Sequence, residues 1–153
     1  MFEAFKTEAE QVAERGRQMS PDAVKSYHLA SILLVINAAL LALMAVLTPG
    51  PGFPWVPIGL ALLLARALYQ LKSNWADAVV VIAVAGTGIQ TLLHLWAQPP
   101  MDAILGSLGS WGVAGVLVLL LTGEASPSRR AAGLAVFIIL NGSFYLLALT
   151  SLA

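Results

Sequence analysis

ARALYQLKSNWADAVVVIAVAGTGIQTLLHLWAQPP, residues 65–100, decides the fold. It opens on the end of one apolar block. It then passes through a short segment holding Arg66, Lys72 and Asp77, runs apolar from 76 to 97, and stops at Pro99-Pro100. A bilayer core about 30 Å thick needs roughly 20 helical residues to cross it, and the stretch 76–97 is long enough. Working outward, the same grammar repeats on both sides. Apolar blocks recur near 28–48, 55–71, 103–122 and 131–152, the second being the shortest. Thr48-Pro49-Gly50-Pro51-Gly52 ends the first block, because Pro and Gly together interrupt a helix sharply.

Charge orients these blocks. Lys6, Arg15, Arg17 and Lys25 precede the first, Arg66 and Lys72 flank the second turnaround, and Arg129 and Arg130 flank the fourth. The turnarounds at 48–54 and 98–102 carry no Lys or Arg. Basic residues collect on the cytoplasmic side, so five crossings with the N-terminus inside and the C-terminus outside are expected. Composition agrees. The chain of 153 residues is 59% hydrophobic and 10% charged, against about 25% charge in a soluble domain. Its net charge is zero, so nothing points to nucleic acid as a partner. It contains no Cys, which removes disulfides, thiolate metal sites and thiol catalysis. The first twenty residues are charged, unlike a cleavable signal peptide, so insertion through the first span is expected.

The segment 1–19 reads as a separate amphipathic helix ahead of a membrane domain at 20–153. Phe2, Phe5, Ala9, Val12, Gly16 and Met19 alternate three and four residues apart and form one stripe. With four Glu against three basic residues, it lacks the basic excess of a membrane anchor, so a helix-to-helix contact is expected. Ser20-Pro21 reads as an N-cap and first-turn proline. The fourth block is the weakest candidate span, because part of it is only mildly apolar. Its Gly106-Ser107-Leu108-Gly109-Ser110-Trp111-Gly112 suits either a tightly packed half-span or a short interfacial helix entering the membrane near Trp111. The span reading keeps Arg129 and Arg130 inside. A faint repeat places Trp55 on Trp111, Gly59 on Gly115 and Gly86 on Gly142.

Polar groups within spans are the first places to seek function. Thr87, Gln90, Thr91 and His94 make a stripe on one face of the third block. Asn37 and Asn141 lie mid-span and suit hydrogen bonding between helices. Arg66 either extends its guanidinium to the head groups or pairs with Asp77 at the cytoplasmic border. His94 is the one candidate axial ligand for a haem or pigment metal; His28 is expected on the opposite leaflet, too far away to share an ion. Close carboxylate pairs, a nucleophile elbow, a phosphate-binding glycine loop and a deep carboxylate or lysine relay are all absent from the sequence. Gly106, Gly109, Gly112 and Gly115 recur every third residue beside Ser110, and Gly86 and Gly142 add small patches. Such faces let helix backbones approach closely in lipid.

The run Leu64-Ala65-Arg66-Ala67-Leu68-Tyr69-Gln70-Leu71-Lys72-Ser73-Asn74-Trp75-Ala76 resembles a pattern in small multi-span bacterial membrane proteins of unassigned function. There a span ends in Leu-aromatic-x-Leu-Lys and Trp-Ala starts the next. The resemblance extends from Pro57 to Arg130, through the Pro99-Pro100 turn and the acidic-then-basic turn Glu124 to Arg130. The long polar N-terminal helix and the fifth apolar block depart from it. It implies a bacterial inner-membrane location and no activity. The expectation is therefore an all-α, polytopic transmembrane bundle without a catalytic site. It would act as an assembly subunit whose partners are the bilayer and either itself or other membrane chains. A passive channel lined by Thr87, Gln90, Thr91 and His94 is one alternative, and a pigment- or haem-binding subunit using His94 is another. No cofactor or metal is expected otherwise.

Overall fold

The computed structural model describes residues 2–47 and 54–150, with side chains from Thr7 onward. It is all-helical, with no strand among the described residues. The order is α1 (Phe2–Gln18), α2 (Pro21–Leu47), α3 (Trp55–Tyr69), a short 3-10 turn (Ser73–Trp75), α4 (Ala76–Ala97) and α5 (Pro100–Leu121). Then come α6 (Pro127–Val136), a π-helical turn (Phe137–Asn141) and α7 (Gly142–Thr150). The last three run on as one rod, Pro127–Thr150. Among the described residues, four helices are long and apolar enough to cross a membrane: Pro21–Leu47, Ser73–Ala97, Pro100–Leu121 and Pro127–Thr150.

Caps set where two of them start. Ser20 Oγ accepts a hydrogen bond from Ala23 N–H at 3.1 Å, and Pro21 takes the first turn, so α2 begins well before residue 28. Ser126 repeats the device. Its Oγ accepts from Arg129 N–H at 3.3 Å and Pro127 follows, so the final rod starts at 127 and not at 131. The fourth block is one unbroken helix of 22 residues that runs through Gly106–Gly112 and is long and apolar enough to cross a membrane. The turn at 48–52 and the end of the fifth block, 151–152, lie outside the described residues.

α3 differs from the expected second span. It has 15 residues, about 22 Å of helix, and stops at Tyr69. The following turn is the cause. Lys72 N–H donates to Ala67 O at 3.2 Å and Leu71 N–H to Leu68 O at 2.9 Å, the paired bonds of a Schellman stop. Leu71 occupies the left-handed position, with φ 54°, where glycine is usual; a Cβ there costs about 1–2 kcal/mol. Burial offsets that cost. Leu71 is 3% exposed within the core, worth about 1.5–3 kcal/mol for a leucine.

Neighbouring helices pack antiparallel around α5, which touches α2, α4 and the whole final rod. This gathers Arg15, Arg66, Lys72, Arg129 and Arg130 at one end of the bundle. There Arg130 pairs with Asp22 at 2.8 Å, tying the start of the rod to the start of α2. Arg129 Nε donates to Leu119 O at 3.0 Å, placing a cation on the free carbonyls that end α5. The core sits at this basic end, where Leu33, Leu64, Leu68, Val79, Val116, Leu117, Leu120 and Phe137 interlock.

α1 folds back onto the same end. Val12 and Met19 pack against the core, and Gly16 lies against the Leu71 side chain. These three residues of the stripe thus pack within the chain, against the core and the left-handed turn at Leu71. The side chains of Phe2 and Phe5 lie outside those described.

Candidate functional site

The polar stripe of α4 is hydrogen-bonded to α5. Thr87 Oγ1 donates to Ser110 O at 3.3 Å, Ser110 Oγ donates to Gln90 Oε1 at 2.8 Å, and Trp111 Nε1 donates to Thr91 Oγ1 at 3.0 Å. Thr91 Oγ1 also donates to Thr87 O at 2.8 Å. His94 Nδ1 lies 3.5 Å from Ser107 Oγ and beside Gly106. All four stripe residues are therefore drawn to one seam against α5. Small residues on α5 make this possible, since Gly106 and Ser110 let α4 come close enough for side chains to reach the opposing helix.

Asn37 and Asn141 meet: Asn141 Nδ2 donates to Asn37 Oδ1 at 3.1 Å, linking α2 to the final rod. Asn141 is 1% exposed, and its Oδ1 has no donor. It closes the π-helical turn, whose wider backbone fits against Gly112. A Cβ on Gly112 would stand 3.1 Å from Asn141 N and 3.1 Å from Leu140 Cβ. Gly109 and Gly115 are filled likewise, by Phe144 and Val136. Gly109, Gly112 and Gly115 of α5 thus meet close neighbours within the chain, whereas Gly106 makes only an ordinary contact with His94 and borders the cleft described below. Gly86 and Gly142 have nothing within 4 Å of an added Cβ.

Arg66 and Asp77 do not pair, which corrects the expected border pair. Arg66 Nη2 instead lies 3.3 Å from Glu8 of α1. Gln70 Nε2 also donates to Glu8, and Arg15 Nη1 donates to Gln70 O at 2.9 Å. The returning α1 supplies a carboxylate that Arg66 meets in place of Asp77. Hydrogen bonds from Gln70 and then from Arg66 hold the Glu8 carboxyl below its ordinary 4.5. Its lowered value helps dock α1 above that pH and ceases to as pH falls through it; amide exchange of α1 at neutral and acid pH reads the loss.

The two histidines lie apart. His28 stacks on Tyr69 with ring centroids 5.3 Å apart, and its Nε2 is buried without a partner. His94 belongs to the α4–α5 seam at the other end. Among the described residues no group of three or more His, Cys, Asp or Glu stands together in a way that would hold a metal.

One feature was not legible from the sequence. α3 and α4 are joined by a tight turn at the basic end, yet they splay apart beyond it. The wedge between them is a cleft of about 330 Å³ that α2, α5 and the rod also line. Leu34, Leu64 and Leu117, from the packed core, form its floor. Its walls are apolar except for Asn37, Thr87, Gln90, Ser110 and the phenol of Tyr145. Pro57, Leu60, Ile82 and Gly86 are exposed cleft residues on α3 and α4, so it opens sideways between these two helices. Asn37 Nδ2 and Gln90 Nε2 have no acceptor among the described residues, while their carbonyl oxygens are engaged. The cleft therefore offers amide donors above an apolar floor. The shortness of α3 and the bare position 86 are its sequence traces. Comparison with known proteins finds no matching family model, no matching curated protein and no matching solved structure.

Proposed function

We propose that this chain is a non-catalytic integral membrane subunit that holds an amphipathic small molecule in the cleft between α3 and α4. The ligand would carry an apolar body and a head with hydrogen-bond acceptors, such as a carbonyl or ester. The observation behind the reading is the cleft itself: about 330 Å³, within the usual range of about 300–1,000 Å³ for small-molecule sites, with two unspent amide donors. Thr87 and Gln90 of the polar stripe shape the cleft wall, and bonds from the stripe to α5 hold that wall in place.

In this reading the protein crosses the bacterial inner membrane five times, α3 included, with the basic end cytoplasmic. The short α3 spans by drawing the exposed Trp55 to the far interface. Because the chain has no Cys, single substitutions report its sidedness. Asn74→Cys should label only from the cytosol and Gln98→Cys only from outside; the reverse pattern would end the topology.

The ligand is tested by extracting purified protein with organic solvent and identifying what is released. Gly86→Leu narrows the cleft from a position where an added Cβ has nothing within 4 Å. The wild type should release one amphiphile at near-stoichiometric yield, and Gly86→Leu should release little while melting at the same temperature. Equal yields from both refute the site. A second reading, assembly with itself or other membrane chains, is favoured by Gly59, Gly88 and Gly142, which are also open. A native-lipid particle whose mass is a multiple of 16.1 kDa supports it, and a lone monomer does not.

A further inference from the structure

At the basic end, three hollows of about 560, 460 and 270 Å³ share one side chain, Lys72. Its ammonium makes no salt bridge or hydrogen bond among the described residues. Arg15 borders the two larger hollows and Arg66 the two smaller ones, while Trp75 stands between the largest and the smallest. Three cations thus face one carboxylate, Glu8, which Arg66 already engages. Arg15 and Lys72 are left with charge to spare. The largest hollow is polar and adds the side chains of Gln18, Ser73 and Asn74. The smallest runs past Trp75 to Leu63 and Ala67, on the face of α3 that enters the apolar zone.

We infer that this end holds the phosphodiester headgroup of an anionic phospholipid between Arg15 and Lys72, with its acyl region passing Trp75 onto α3. Charge complementarity selects an anion over a zwitterion. The apolar continuation at Leu63 and Ala67 selects a lipid over a soluble phosphate, for which that path has no use. Trp75 sits where indoles prefer to lie, at the boundary between head groups and tails. The site shares no residue with the α3–α4 cleft, so it stands whether or not that cleft holds a ligand.

The test uses the full chain in vesicles of equal parts phosphatidylglycerol and phosphatidylcholine, with retained lipid counted by native mass spectrometry after release. Phosphatidylglycerol should be enriched on the wild type. Lys72→Gln and Arg15→Gln should each reduce that enrichment about fivefold, the worth of one basic side chain at an anionic surface, and Arg15→Lys should largely restore it. Arg17→Gln and Lys25→Gln remove the same charge from the same end but outside the hollows, and should leave the enrichment unchanged. An equal loss in all four charge-removing variants means diffuse attraction and overturns the site. So does a wild type with no preference between the lipids. Displacement of phosphatidylglycerol by inorganic phosphate at comparable concentration would show a soluble-anion pocket and would overturn the lipid assignment.

Discussion

Two glycine-bearing seams in this bundle have opposite outcomes. Along α5, Gly109, Gly112 and Gly115 are pressed against Phe144, Asn141 with Leu140, and Val136, at 2.9–3.1 Å from where a Cβ would sit. Across from α3, Gly86 of α4 faces open space. Both are small residues on apolar helices, and neither is set apart by its local sequence. In lipid no hydrophobic force pulls two helices together, so contact depends on matched shape and on polar groups that bond across the gap. The α5 seam has both: a widened π turn that fits Gly112, and Asn141 reaching Asn37 beyond it. The α3–α4 wedge has neither. Its polar groups bond to α5 or, for Asn37, to the rod, and α3 is too short to follow α4 along its length.

The comparison breaks most visibly at Gly112. Gly112→Leu has no room, because its Cβ alone would touch backbone of the π turn, so the rod must move away. Stability in bicelles should fall by about 3 kcal/mol, at the upper end for overpacking, and Gly112→Ala should cost less. A near-neutral Gly112→Leu would mean that the rod tilts freely and the seam is no tighter than the wedge. Next in size is the polar clasp. A double-mutant cycle of Asn37→Ala with Asn141→Ala should give a coupling of about 1 kcal/mol, within the range for hydrogen bonds between membrane helices. Zero coupling would leave shape alone to hold the seam.

Much of this architecture was legible. Apolar blocks, the Pro99-Pro100 stop and the Ser20 cap mark helices by local physics alone, and the gathering of Lys and Arg at one end follows from counting turns. Asn37 and Asn141 stood out because polar side chains are rare inside spans. What was hidden depends on three-dimensional register. The partner of Arg66 comes from α1, and the stripe on α1 does not say where that helix will dock. The early stop of α3 turns on Leu71 adopting a conformation that sequence reading reserves for glycine, and its compensation lies in burial that only the fold supplies. The start at Ser126-Pro127 was readable, since it repeats Ser20-Pro21. The α5 glycines were visible as a face, but whether that face was occupied from within or from without was not.

The smallest effect is the most discriminating for that last point. Gly142 opens α7, is exposed, and has nothing within 4 Å of an added Cβ. In a chain that stands alone in lipid, Gly142→Ala should be neutral or should stabilise by about 0.5 kcal/mol, because a mid-helix glycine gives up more conformational freedom than alanine does. If Gly142 is instead a contact between copies, the added methyl meets a neighbour that the single chain does not contain. Stability then falls, and it falls more at high protein-to-lipid ratio than at low. Unfolding at two dilutions in the same lipid separates these cases. Concentration-independent neutrality leaves the open face without a partner, whereas a concentration-dependent loss gives it one and turns the contrast between the seams into one of inside against outside.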